Sequence, residues 1–336
     1  MQTDRRAMAS AALGISAVGA GVAASDHLTG YPVLTGQAVR YAAGAALLAL
    51  VARAGGRARP EPRLGQADRL RLLALAGSGL VLFNVAVVRA VASGEPAVVA
   101  TIVGLAPVGL ALAVPALERR RPSAGILGGA ALAAAGAAVV EGFGHADAAA
   151  LAWSGVALGC EVAFTLLAAP LLRTLSPLGL SVRASALAAA LLLAAAVVLD
   201  GGAALARPTA GEALAIAYLA VASTAVAFVL WYRAVARLGP ERTGLFAGLM
   251  PVSAALVGAA VTPADLRVGT LVGTVLAGAG LAVGLRPARV AVSAPGGGEG
   301  SHPDGATDRL AVDHDPEPRR RPHHGDRLPA GGPAGG

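Results

Sequence analysis

The sequence predicts an all-α integral membrane protein of ten transmembrane helices, arranged as two inverted five-helix repeats. Three observations predict it: a composition too poor in charge for a soluble surface, ten solid apolar runs, and a match of the chain to itself at a shift of 144 residues. Of the 336 residues, 55% are hydrophobic, 14% charged and 3% aromatic. A soluble domain carries about 25% charged residues, so composition excludes a water-soluble globular fold. It also excludes disorder over most of the length. The net charge is +7, and all 27 basic residues are Arg. Such an excess can signal nucleic-acid binding. Here most of the Arg sits in short clusters between apolar runs, the pattern of charged membrane loops, so no nucleic-acid partner is expected. The single cysteine, Cys160, lies inside an apolar run, and no metal-ligand or cofactor spacing occurs.

The runs lie near 8–24, 33–52, 70–89, 96–117, 123–141, 149–172, 179–199, 212–232, 241–262 and 268–285. Most match the ~20 residues that a helix needs to cross the hydrocarbon core. None shows the alternation of membrane β-strands. The first run follows Arg5 and Arg6, as a signal peptide would, but run six is its counterpart in the repeat, so it reads as a retained helix. With ten spans, 23 Arg residues fall on one side, Arg89, Arg207 and Arg267 on the other, and Arg40 within run two. Positive charge collects on the cytoplasmic side of membrane proteins, which places both termini in the cytoplasm. Nine or eleven spans would scramble this alternation.

At a shift of 144, Arg89-Ala90-Val91-Ala92 falls on Arg233-Ala234-Val235-Ala236, and Pro96 on Pro240. Gly104-Leu105-Ala106-Pro107-Val108 falls on Gly248-Leu249-Met250-Pro251-Val252. Gly125, Gly129 and Gly136 fall on Gly269, Gly273 and Gly280. The reading is a first repeat over 1–141, a second over 142–286 and a disordered cytoplasmic tail over 287–336. An odd number of helices per repeat inverts the second copy. Inverted repeats are typical of secondary transporters, whose site lies near the midplane between the halves.

Glu161 lies in the middle of run six. A charge at that depth costs on the order of 3 kcal/mol, so it marks either function or a helix-locking pair. Desolvation favours the neutral carboxyl, which suggests a proton carrier; contact with a cation or amine is the other reading. Arg40 either pairs with Glu161, relieving both desolvation costs, or reads an anionic substrate group. Arg183 is nearer a helix end and is expected to snorkel. Asn84 in run three is helix glue or a substrate contact. Tyr218, deeper on the outer side of run eight, is a pathway candidate. Trp231 and Tyr232 read as an interfacial belt. Ser223 and Thr224 could offer hydroxyls or bond back to their own helix. Pro107 and Pro251, mid-run in both halves, are hinge or site-lining helix breaks. Gly125 with Gly129, and Gly269 with Gly273, predict close packing of runs five and ten, and the same spacing would serve a homodimer.

These residues together resemble the EamA family of the drug/metabolite transporter superfamily. The likeness covers residues 8–286. It rests on the run-two Arg in Gln37-Ala38-Val39-Arg40-Tyr41, on Trp231-Tyr232-Arg233-Ala234, on Pro107 and Pro251, on Leu117-Glu118-Arg119-Arg120 and on Val268-Gly269-Thr270-Leu271-Val272-Gly273. The resemblance implies a ten-helix inner-membrane carrier, often an exporter of amino acids, metabolites or drugs. The chain departs from it where Thr262 replaces the counterpart of Glu118, with Asp265 close behind, and where Glu161 replaces an aromatic residue after Cys160.

No nucleophile–base arrangement or P-loop occurs, so neither an enzyme nor an ATP-driven pump is expected. The sequence points to a secondary transporter of a small-molecule substrate, embedded in the plasma-membrane bilayer and needing no cofactor. A channel or a structural or signalling membrane protein is the alternative.

Overall fold

A computed structural model describes residues 2–25, 28, 30–54, 62–142, 145–199, 201, 206–261 and 268–286. The tail zone 287–336, with its four His, and the positions Thr262, Asp265 and Arg267 lie outside them. The described residues belong to one compact unit, Met1–Ala288. Among them the chain forms helices and no strand, with one isolated bridge between Gly94 and Ala146.

The helical segments are α1 (Gln2–Ser25), α2 (Val33–Ala54), α3 (Gln66–Val91), α4 (Pro96–Leu117), α5 (Ala124–Glu141), α6 (Ala148–Leu171), α7 (Pro177–Leu199), α8 (Ala210–Leu238), α9 (240–261) and α10 (Val268–Gly284). Among the described residues, α2 to α8 are the seven helices long and apolar enough to cross a membrane, and α10 is a shorter apolar helix. The ten spans expected from the sequence stand at seven on this criterion.

Local chemistry sets the helix starts. Asp147 caps α6 by accepting the Ala150 N–H at 2.7 Å. Thr209 and Glu212 form a reciprocal capping box at α8. Pro96, Pro177 and Pro240 each open a helix, where the missing N–H would have no partner anyway. Gly239, at φ +80°, makes the sharp turn from α8 into α9, a conformation that side chains with a Cβ rarely adopt.

Two helices are loosened in mid-course. α3 widens to π-helical turns over Leu75–Leu82, and α8 does so over Leu219–Val226. The two stretches are 144 residues apart, the shift that aligns the sequence with itself. α4 breaks at Gly104–Leu105 and restarts at Ala106, and α9 passes through a 3₁₀ turn at Leu245–Gly248 before restarting at Leu249. Pro107 and Pro251 thus sit in the first turn of a restarted helix. The interruptions expected at both prolines as hinge or site-lining helix breaks lie just before them, and their missing N–H groups cost nothing there.

The closest packing joins α5 to α10, which run antiparallel. A Cβ on Gly129 would lie 2.5 Å from the Gly284 nitrogen and 2.6 Å from the Gly280 oxygen. One on Gly136 would lie 2.6 Å from the Ala277 nitrogen and 2.7 Å from the Gly273 oxygen. The contact is reciprocal: Gly129 meets the counterpart of Gly136, and Gly136 meets the counterpart of Gly129. Gly273 and Gly269 take part, the latter 3.0 Å from the Val139 oxygen by the same measure. Gly125 does not, since only Ser123 Oγ, at 3.9 Å, would be near its Cβ. Of the small-residue positions singled out in the sequence, Gly129, Gly269 and Gly273 serve this internal contact. The same exchange recurs elsewhere, with α2 packed on α7, α1 on α8 and α9, and α6 on α3 and α4.

At one end of the bundle Arg120, in the α4–α5 loop, bridges to Glu241 at the start of α9 and to Glu118 at 2.6 Å. These two carboxylates, Glu241 first, hold the Arg120 guanidinium above its ordinary range. A group raised in the folded state stabilises it below the ordinary range and loses that effect only above it, so this contribution is constant across neutral pH. Arg120 is 40% exposed, so Arg120→Gln is expected to cost only about 1 kcal/mol. The loss should shrink in high salt when thermal unfolding is followed in detergent.

Gly280→Val forces apart two backbones in contact and should cost about 1–3 kcal/mol, read as a lower unfolding midpoint. Gly125→Val should leave the midpoint unchanged. Equal shifts for the two variants would refute the packing described.

Candidate functional site

An open cavity of about 150 Å³ lies among α1, α2, α3, α6, α8 and α9. The two π-helical stretches face it, through Gly79 and Leu80 of α3 and Ser223 of α8. A π turn spreads the backbone and is enriched at functional sites. Small residues bring the walls together. A Cβ on Gly79 would lie 2.7 Å from Phe164, and one on Gly14 would lie 3.1 Å from the Ala227 oxygen.

Arg40 enters the cavity from α2. Its Nε donates to Thr224 Oγ1 at 2.8 Å, Nη1 to Gln37 Oε1 at 3.1 Å and Nη2 to the Ser223 carbonyl at 3.4 Å. Its guanidinium carbon lies 5.1 Å from the centre of the Tyr41 ring, within cation–π range. Glu161 lines the same cavity from α6. The expected ion pair between the two is not formed. Among the described residues no hydrogen bond or salt bridge reaches Glu161, while three neutral acceptors, two of them on the π-helical stretch of α8, satisfy Arg40. The loosened turn presents the Ser223 carbonyl that a regular helix would keep for itself.

Asn84 also lines the cavity, and its amide donates back to the Leu80 carbonyl of its own helix. Its carbonyl oxygen stays available. Tyr218 is not brought here: it is 40% exposed on the outside of α8. Pro107 and Pro251 are buried but do not line the cavity, although Met250 does.

The reading of Trp231 and Tyr232 as an interfacial belt is corrected. Trp231 is 6% exposed and lines the cavity, and Tyr232 is fully buried behind it. α8 turns this face toward α1, α6 and α7, so the rings pack inward. Ser223 and Thr224 do not bond back to their own helix. Ser223 Oγ donates to the Ala17 carbonyl of α1 at 3.0 Å, and Thr224 accepts from Arg40.

Sequence reasoning missed the aromatic wall. Tyr41, Phe83, Phe164, Phe228 and Trp231 all line the cavity. Behind it, Phe228 lies 5.6 Å from Phe164, 6.2 Å from Tyr41 and 5.9 Å from Tyr232 between ring centres. The signal was scarcity: in a chain with five Phe, four Tyr and two Trp, aromatic residues inside apolar runs are costly to ignore. Trp231 Nε1 and the Tyr232 hydroxyl are buried without a partner. Each such donor costs about 1–3 kcal/mol when unpaired. No cluster of metal-ligating side chains occurs among the described residues.

Membrane-length apolar helices packed around a largely apolar cavity that holds Arg40, Glu161 and Asn84 define a multi-pass membrane protein. Residues 148–285 match the family described as the EamA-like transporter family, which agrees with the resemblance read from the sequence. No curated protein matches the chain. A solved chain described as "Crystal structure of protein" shares the fold with a TM-score of 0.72 at 17% identity, over 83% of this chain and 96% of that one.

Thr224→Val keeps the side-chain volume but removes the acceptor of Arg40 Nε. The expected loss is about 1.5–3 kcal/mol, the range for hydrogen bonds to charged groups, measured by thermal unfolding. An unchanged midpoint would mean that Thr224 does not hold the guanidinium.

Proposed function

We propose that this protein is a secondary transporter that carries a small metabolite through the central cavity by alternating access. The observation that carries the reading is the cavity itself. A carboxyl without a partner and a guanidinium held by neutral acceptors share one aromatic-walled space, and the π-helical stretches of two matched helices border it. Interruptions at corresponding positions of two halves are the usual pointer to a carrier's site.

The reciprocal α5–α10 contact supports reading the halves as inverted repeats of five helices and the chain as ten spans. Two similar halves that exchange conformations give inward-open and outward-open states of similar energy. Arg clustering supports placing both termini in the cytoplasm, with the protein in the plasma membrane. Separated opposite charges in one cavity suit a zwitterion, its ammonium toward Glu161 and its carboxylate toward Arg40. Export, with Glu161 exchanging a proton for substrate, is the direction and coupling we assign.

Reconstituted vesicles test the reading. Comparing extracellular metabolites with and without the protein names the substrate to load. Saturable, gradient-driven flux is expected, and Glu161→Gln should lower it about ten-fold or more, the usual contribution of a positioned proton-transfer group being larger still. It should also flatten the pH dependence. Ohmic current would make the protein a channel. Wild-type flux and pH profile in Glu161→Gln would end the proton-coupling idea.

A further inference from the structure

A second concavity lies where α1, α7 and α8 meet, away from the central site. Arg6 of α1, Pro177 at the start of α7, and Arg233 and Arg237 near the end of α8 border a cleft of about 550 Å³. Its floor is small: Ala7, Ser10 and Ala236. Register explains this. α1 and α8 run antiparallel, with Gly14 against Ala227–Trp231 and Gly21 against Leu219–Ser223. The same spacing carried outward sets Ala7 opposite Ala236, and two methyl side chains leave a gap between the helices.

The charge around that gap is of one sign. Among the described residues no acidic one lines the cleft. Asp4, the nearest acid in sequence, is not part of it. Among the described residues, none of the three guanidinium groups is in an ion pair. Arg233 and Arg237 stand at i and i+4, where like charges destabilise a helix. The N-terminus of α7 adds positive potential. Membrane orientation asks for Arg on one side; it does not ask three of them to converge without a counter-charge. A bound anion removes that repulsion.

We infer that this cleft binds a phosphate-bearing anion. Guanidinium groups present paired N–H donors that match phosphate oxygens in a bidentate way, which a point charge does not. Three of them around a small-floored gap suit a compact tetrahedral group. The phosphate can come from a lipid headgroup or from a soluble phosphate. Leu13, 63% exposed, continues the Arg6–Ser10 stripe of α1 and offers an acyl chain an apolar path.

The test uses the full-length protein in neutral detergent, with phosphatidylglycerol, phosphatidylcholine and inorganic phosphate as probes. Binding is read from the unfolding midpoint and from adducts in native mass spectrometry. Arg233→Gln combined with Arg237→Gln should weaken phosphatidylglycerol binding about ten-fold or more, since charge-assisted hydrogen bonds are lost. Arg119→Gln combined with Arg121→Gln removes the same charge elsewhere and should leave affinity near wild type. Arg6→Gln, on the opposite wall, gives an independent loss. Inorganic phosphate that binds alone and displaces the lipid identifies a soluble phosphate as ligand; lipid binding indifferent to it identifies the headgroup. Both results support the site. Equal losses in the two double variants, wild-type affinity in Arg6→Gln, or no binding of either phosphate probe to the wild type would overturn it.

Discussion

Where α5 and α10 meet, peptide groups touch instead of side chains, and the rest of the bundle is arranged around that closeness. Lipid tails are as apolar as leucine, so burial of apolar surface does not hold helices together inside a membrane. Dispersion between closely fitted surfaces does, and it falls off steeply with a gap. Glycine at 129, 136, 273 and 280 brings the two backbones into direct contact. Because each glycine meets the counterpart of another, one pattern of small residues serves both sides. The bundle needs few bulky side chains for its closure, and Tyr41, Phe83, Phe164, Phe228 and Trp231 collect at the cavity.

Polar groups inside the bundle follow a second logic. A guanidinium away from water needs acceptors, and a regular helix has no spare carbonyls in mid-course. The π-helical stretch of α8 supplies one, at Ser223, beside the hydroxyl of Thr224. Arg40 is therefore held by backbone geometry and needs no carboxylate. Glu161, across the cavity, is left unpaired. The arrangement costs stability at Glu161, Trp231 and Tyr232, and of the three only Glu161 and Trp231 border the cavity.

Much of this was legible in the sequence. Solid apolar runs announced the helices within a few residues, because length and hydropathy alone decide what crosses a bilayer. Glu161, Arg40 and Asn84 stood out as candidates, since charge and amide are conspicuous against Ala and Leu, and all three line the cavity. The Gly pattern found the α5–α10 contact but not its register, so Gly125 was included although it faces open space. Backbone detail was not legible. Nothing in Leu75–Leu82 or Leu219–Val226 spells a π turn, because tertiary packing chooses it over the regular helix. The prolines lie just past the breaks they mark, so the break itself falls a few residues earlier in the chain. Trp231 lines the cavity and Tyr218 does not for a simple reason: they lie on different faces of one helix, and which face turns inward depends on neighbours that a single sequence does not name.

The placing of Trp231 has a practical side. The chain has two tryptophans, Trp153 and Trp231, and only the second borders the cavity. Indole emission responds to the polarity and order of its surroundings. A chain with phenylalanine at 153 would hold one fluorophore, in the wall of the space where cargo is expected. The molecule thus carries its own optical gauge of occupancy, and titrating candidate compounds against that signal needs neither a label nor a radioactive tracer.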